Sequence, residues 1–522
     1  VQLLRNFATV GAWTLVSRVL GFVRDVLTAA VLGAGPVSDA FFVAFKLPNL
    51  FRRLFAEGAF NSAFVPQYAR ARAEEGEAGS HLFASQVLAW LAVILTAVSA
   101  LAMIFTPALV LVLAPGFADD PAKFDLTVLY TRVCFPYLAA MSLVAFLSGV
   151  LNTLDRFAEA ALAPVLLNVV LIAFLLAIAQ LPLERWEEGL LLTVGVFVAG
   201  VVQGTLLVVS VLRAGIRLRL VRPRRSARLG RLLRVMIPGV AAGGITQINI
   251  AAGTIIASFW PGAVSSLYYA DRLYQLPLGV VGVAIGVALL PDLSRRLGSG
   301  DAGGALWTQN RALEFALLLT LPCAAALVAV PLEIIVALFE RGAFTRADSI
   351  MTAAALAAYG VGLPAFVLVK VLSPGYFARE DTRTPMIYAG VSMVVNVVAA
   401  VGLAVLLAPQ GYANVGIAAA TSIAAWVNTA CLAVGLVRRG HFVADKALRT
   451  RLLGFVAASL ALAVVAVVVA KALSAWFFGG DTLRTLLALA ILVGGAGLAY
   501  ALVCQLSGAF GVRDLVKAFR RG

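Results

Sequence analysis

Histidine is nearly absent from this 522-residue chain, which has only His81 and His441. They fall in predicted loops far apart in sequence, and that argues against an imidazole-built metal centre. The four cysteines (Cys134, Cys323, Cys431 and Cys504) stand alone in apolar segments with no CxxC pair. They read as small core residues rather than ligands or disulfides. No GxxxxGK[ST] loop occurs, so ATP hydrolysis by a P-loop of this chain is excluded. Acidic pairs such as Asp119-Asp120 and Glu187-Glu188 lie in predicted loops, where solvated surface is the expected role, and no nucleophile–base constellation is visible. The expectation is a protein that is not an enzyme, with no cofactor and no metal. Charge is scarce overall: 13% of residues are charged, against about a quarter in a soluble domain.

What fills the chain is oil. It is 62% hydrophobic, with a mean hydropathy of +0.97. Apolar runs long enough to cross a bilayer recur from end to end, so the fold class is an all-α polytopic membrane protein. Fourteen helices are predicted, at 7–32, 37–66, 82–114, 125–151, 158–180, 189–212, 233–259, 264–294, 309–339, 349–376, 385–408, 412–437, 451–473 and 483–508. Arg18 and Arg24 interrupt the first apolar stretch, which is expected to be retained as a span rather than cleaved as a signal. Placing both termini in the cytoplasm puts 26 of the 41 Lys and Arg residues in inside segments and six outside. That asymmetry orients membrane proteins. It also accounts for most of the +15 net charge without nucleic acid. The basic run Arg213–Arg234 reads first as a topology signal and linker, with anionic headgroups as the lesser alternative.

Three echoes recur about 225 residues apart. The segment beginning at Pro107 and ending at Phe117 resembles Pro331 to Phe344. Ser148-Gly149 with Arg156 resembles Ser373-Pro374-Gly375 with Arg379. Phe41-Phe42 before Lys46-Leu47-Pro48 resembles Tyr268-Tyr269 before Arg272 and Leu276-Pro277. Each echo joins helices six apart, so the two copies share one orientation. The expected domains are an N-lobe at 1–212 (helices 1–6), a basic linker at 213–232, a C-lobe at 233–437 (helices 7–12), and helices 13–14 with a tail at 438–522. Transporters made of parallel repeats bind substrate between the lobes. A core ending near 437 is expected to fold without residues from about 446 onward.

Nine basic residues remain at membrane depth or near its edge: Arg18, Arg24, Lys46, Arg52, Arg53, Arg132, Arg272, Arg311 and Lys370. Nearby acids are Asp25, Asp39, Glu57 and Asp271. Ser17 shares a helix face with Arg24, and Arg18 shares one with Asp25. An ionisable residue inside a membrane is a functional hypothesis by default. Arg52 and Arg53 could instead snorkel to headgroups, and Arg24–Asp25 or Asp271–Arg272 could be structural pairs. Neither alternative explains the excess of bases over acids. A cationic cavity does, and guanidinium suits a diphosphate because its planar fork donates two parallel hydrogen bonds.

SRVLGFVRD (17–25), SDAFFVAFKLPNLFRRLFAEGAFNSAFVPQYA (38–69), YYADRLYQLPLGVVGVAIGVALLP (268–291) and VLSPGYFARED (371–381) closely resemble the MurJ (MviN) lipid II flippase family. The resemblance implies a fourteen-helix member of the multidrug/oligosaccharidyl-lipid/polysaccharide exporter superfamily. Such a protein carries undecaprenyl-diphosphate-linked peptidoglycan precursor from the inner to the outer leaflet of the bacterial cytoplasmic membrane. The family's central arginines fall on Arg18, Arg24, Arg52 and Arg272, and its acidic partners on Asp25 and Asp39. With Ser17, Lys46, Asn49 and Glu57 these make the candidate substrate-binding set. Gln275 stands where some relatives carry Glu, so the role of an acid there does not carry over; separately, no Asp or Glu occurs in 235–259 or 386–408, so the sodium site of some relatives is not expected. Helices 13 and 14 are expected to shape a groove for the polyprenyl tail. The expected partners are lipid II and membrane lipids, and the expected state is a monomer. The alternatives are a related exporter of drugs or other lipid-linked sugars, and a membrane enzyme acting on polyprenyl diphosphates.

Overall fold

The computed structural model describes residues 2–52, 60–224 and 226–510. Among them are nineteen α-helices. The first nine are α1 (Gln2–Leu32), α2 (Pro36–Arg52), α3 (Phe60–Ile104), α4 (Thr106–Leu113), α5 (Pro121–Cys134), α6 (Tyr137–Asn152), α7 (Phe157–Ile178), α8 (Arg185–Arg213) and α9 (Ala227–Ala257). Then follow α10 (Ala263–Pro277), α11 (Val283–Gly298), α12 (Ala302–Ala329), α13 (Pro331–Phe339), α14 (Arg346–Phe377), α15 (Arg383–Leu407) and α16 (Ala413–Arg438). The last are α17 (Lys446–Ala472), α18 (Ser474–Phe477) and α19 (Thr482–Leu506). Helix covers most of the described part of each of the fourteen predicted stretches. Among the described residues, ten helical segments are long and apolar enough to cross a membrane. The other four predictions correspond to α1, α2, α9 and the α10–α11 pair.

Helices outnumber predicted spans because proline and glycine break them. Phe135-Pro136 separates α5 from α6, and a π-turn at Leu278–Gly282 follows Pro277 between α10 and α11. Removal of one backbone donor at each proline is the cause. Gly76, with φ of 70°, kinks α3 between its loop-side and apolar parts. The scarce acids are used as caps. Asp120, Asp301, Asp445 and Asp481 accept backbone N–H bonds at the starts of α5, α12, α17 and α19, and Glu184 and Glu187 make a capping box on α8. Each satisfies donors that a helix start leaves unpaired. Asp120 and Glu187, expected as solvated surface, thus hold helix starts.

The repeat is written in the backbone. Asp155 and Glu380 are the two non-glycine residues with positive φ (59° and 61°) among those described, and they are 225 positions apart. In each the next amide closes onto the helix end: Arg156 N donates to Leu151 O at 3.1 Å, and Asp381 N to Tyr376 O at 3.2 Å. Gly215 and Gly440 repeat this closure, with Ile216 N to Val211 O at 3.2 Å and His441 N to Leu436 O at 2.9 Å. These are the left-handed closures that satisfy orphan carbonyls at helix ends. The short helices α4 and α13 both open on a proline, at Pro107 and Pro331.

By packing, the chain divides into two compact units, 1–265 and 266–522. The boundary expected from the repeat lies at the 213–232 linker; the packing boundary lies later because α9 is tied to the helices before it. Arg228 pairs with Glu74 (3.1 Å) and Glu75 (2.7 Å). Lys46 donates to Thr254. Gly116 N donates to Ser258 Oγ at 3.0 Å. In the second unit α14, α15 and α16 pack closely. A Cβ on Gly416 would lie 2.6 Å from the Leu403 carbonyl, so only glycine permits that approach.

Helices α17 and α19 are built onto α12. Glu314, buried, accepts from Arg311 (2.6 Å) and from Arg451 of α17 (2.8 Å). Arg311 also reaches Asp445, and Tyr500 of α19 donates to Leu318 O at 2.6 Å. Leu462, Ala466 and Leu492 share a buried cluster with Val330 and Ala337. Deleting residues from 446 onward therefore strips a buried carboxylate of one arginine and uncovers an apolar seam. The expected result is a melting temperature clearly below that of the full chain, read by tryptophan fluorescence in detergent; equal melting would mean that the twelve-helix core stands alone.

Candidate functional site

The first apolar helix solves the problem of its own charges locally. Arg24 Nε and Nη2 donate to Asp25 Oδ1 at 3.1 and 2.7 Å, and Nη1 donates to Asn168 Oδ1 of α7 at 3.0 Å. The Asn168 amide nitrogen donates to Ser17 O at 2.9 Å, with Ser17 Oγ at 3.4 Å. Asp25 is buried and the Arg24 side chain is 13% exposed. The neighbouring acid balances the charge, and the amide on α7 fixes the plane of the guanidinium. Ser17, Arg24 and Asp25 are thus brought together. Arg18 is not: it is exposed, beside the exposed Leu15 and Val19, although the adjacent residue on its turn, Ser17, meets Asn168. Register places Arg18 and Asp25 on one face, but cover differs along the helix.

Asp39 is fully buried at the start of α2. Its carboxylate accepts from Lys123 Nζ (2.7 Å), Gly262 N (3.0 Å), Ser265 N (2.8 Å) and Ser265 Oγ (2.7 Å). The carboxylate meets the backbone donors that open α10, where the helix dipole favours an anion. Lys123, counted from sequence among outside loop residues, is buried too and lies 3.9 Å over the Phe117 ring. Lys46 and Asn49 follow on α2 and are half-buried. Arg52 ends α2; its side chain, Glu57 and Arg53 lie outside the described residues.

In the second unit Arg272 is half-buried on α10. Its guanidinium sits 4.5 Å over the Tyr268 ring and donates to the Tyr268 hydroxyl at 3.0 Å. Gln275 donates to Asp271 on the same helix. Three other intramembrane bases have visible structural roles. Arg132 donates to Met103 O at 3.2 Å where α3 breaks into α4. Arg311 belongs to the α12–α17 ion cluster. The stem of Lys370 packs near Gly282 and Gly286.

Sequence reasoning missed Asn168 and Lys123. A lone amide inside the apolar run of α7 was the available signal for the first. The second had none, since its partner lies 84 residues away. Chemically, guanidinium groups held by side-chain partners in apolar helices can bind an oxyanion. Nothing in the set can act as a nucleophile with a base.

The sequence model described as lipid II flippase MurJ matches residues 28–488. A probable lipid II flippase MurJ of Rhizobium meliloti is 49% identical over 464 residues, 89% of this chain and 86% of the relative. That of Rhizobium tropici is 44% identical over all of this chain and 97% of its own length. Among solved structures, a lipid II flippase MurJ in an inward closed conformation matches with a TM-score of 0.77 at 25% identity, covering 97% of this chain and 99% of that one. An inward-facing multidrug MATE transporter of the MOP superfamily shares the fold, with a TM-score of 0.64 at 16% identity over 83% of this chain and 95% of its own. Family, helical fold and apolar spans agree on a multi-pass membrane transporter that is not an enzyme, and the chain belongs to the MurJ family of lipid II flippases.

Proposed function

We propose that this chain moves lipid II, the undecaprenyl-diphosphate-linked disaccharide-peptide, from the inner to the outer leaflet of the bacterial cytoplasmic membrane by alternating access through a cationic central cavity. The observation that carries this reading is Arg24, a guanidinium oriented by Asp25 and Asn168 inside an apolar helix. A diphosphate entering such a site exchanges water for charge-assisted hydrogen bonds in a low dielectric. Arg272, stacked on Tyr268, supports the same reading, as do Arg18, Lys46 and Arg52 by their sequence positions. The tail stays in lipid along α17 and α19, whose outward faces carry exposed residues such as Leu460, Val464 and Leu498.

The moving parts are the two sequence lobes, 1–212 and 233–437, with both termini cytoplasmic. The Asp39 clasp holds α2 to the start of α10 and must open when the cavity faces outward. The protein works as a monomer.

The decisive experiment is purified protein in liposomes with labelled lipid II, scored for exposure in the opposite leaflet. No nucleotide site is available, and the helices that would supply a sodium site of the relatives' kind hold no acids. The membrane potential remains, and a charge crossing 100 mV gains about 2.3 kcal/mol. Flipping is expected to slow when valinomycin and potassium dissipate the potential, and to tolerate sodium removal. Full flipping without potential that stops without sodium would overturn that energy source. No flipping under any condition would overturn the function.

A further inference from the structure

The first unit contains an apolar groove of about 490 Å³ that the transport reading leaves unused. Its walls come from Leu91 and Leu95 of α3, Leu143 and Leu147 of α6, and Val208 of α8, and Leu218 of the segment after α8 lies across it. The volume is that of a small-molecule site, but the walls carry almost no polar group to orient a soluble ligand. Its shape and chemistry suit a hydrocarbon chain.

The segment over the groove has no regular secondary structure, and its burial alternates. Ile216 is buried and Leu218 half-buried, while Arg217 and Arg219 between and beyond them are exposed. Period-two alternation puts one set of side chains on the groove and the other on its outer side. Arg213, Arg222 and Arg224 are exposed as well. The segment is pinned to α3: Arg219 N donates to Ser85 Oγ at 3.1 Å, and Trp90 Nε1 donates to Arg224 O at 3.1 Å. The nearby acids Glu74 and Glu75 are paired with Arg228. Five exposed arginines thus lie along the same stretch of chain as Ile216, Leu218 and Leu220, which line a site whose interior is apolar.

We infer that this groove binds an anionic glycerophospholipid, one acyl chain lying under Ile216 and Leu218 and the phosphate among Arg213, Arg217 and Arg219. The occupant is a lipid because a free phosphate would leave the apolar walls uncovered. It is anionic because juxtamembrane arginines each favour an acidic headgroup. The inference does not depend on lipid II transport. It places the lipid in the inner leaflet only through the orientation proposed above.

Native mass spectrometry of the full chain, with phosphatidylglycerol or phosphatidylcholine added and no lipid II present, tests it. The parent should retain one phosphatidylglycerol in preference to phosphatidylcholine. Arg217→Gln with Arg219→Gln, both exposed and harmless to folding, should lower phosphatidylglycerol retention about tenfold or more and leave phosphatidylcholine unchanged. Ala92→Phe, which fills the groove, should abolish retention of both. Equal retention of the two lipids by the parent, or retention unchanged in the arginine variant, overturns the site. Stoichiometric displacement by added lipid II overturns the occupant, since the groove would then hold the cargo's tail. Orientation is read separately: an Arg222→Cys variant labelled by an impermeant maleimide from outside the cell would refute the inner-leaflet placement and leave the lipid site intact.

Discussion

Arg24→Ala should reduce lipid II flipping by roughly a hundredfold or more, because two charge-assisted hydrogen bonds of roughly 1.5–3 kcal/mol each are lost to the diphosphate. The single variant also takes two hydrogen bonds and a facing charge from the buried Asp25. Weakening a buried ion pair is destabilising, so folding has to be read apart from transport. Arg24→Ala with Asp25→Asn removes both charges and should restore stability while leaving flipping low. Arg24→Lys keeps the charge but not the planar fork to Asp25 and Asn168, and should rescue poorly. Arg272→Ala should abolish flipping while the protein still inserts. Flipping at the parent rate in both the double variant and Arg272→Ala, at normal expression, would remove the cationic cavity from the mechanism.

The Asp39 clasp predicts the largest loss of stability. Asp39→Ala leaves the Lys123 ammonium buried and unpaired and takes the acceptor from Gly262 N and Ser265 N. The expected cost is about 3–5 kcal/mol, visible as a depressed melting temperature in detergent. Adding Lys123→Met should recover part of it, because the stranded charge goes and the two changes share one network. Strict additivity of the two would show that the ion pair contributes nothing beyond its separate members.

Much of this was legible in the sequence because its signals are local. Apolar length marks a span, and proline and glycine mark its breaks. Arginine in oil announces itself for the same reason, and so Arg24 and Arg272 could be singled out without a structure. What stayed hidden depends on partners far along the chain. Asn168 meets Arg24 across 144 residues, and Asp39 meets Gly262 across 223. Uncharged Asn168 makes no mark on a hydropathy pattern, and Lys123 looked like any loop lysine until the acid facing it was seen. The run from Arg213 was read for its charge, while the alternation of Ile216 and Leu218 within it, which sets the segment over a groove, went unused. Likewise Arg311 and Arg451 stand far apart in the chain, although one buried carboxylate, Glu314, joins them.

The matched helix closures at Asp155 and Glu380, and again at Gly215 and Gly440, make the chain its own alignment. A tandem duplication preserves what geometry demands of both halves, and these turns survive at a constant offset although the residues in them have diverged. What differs between the halves has then been free to specialise. Arg24 has no counterpart of its kind, since no arginine lies between 235 and 271. A cargo with an anionic head at one end and a hydrocarbon tail at the other has no twofold symmetry, so a duplicated carrier gains by breaking its own.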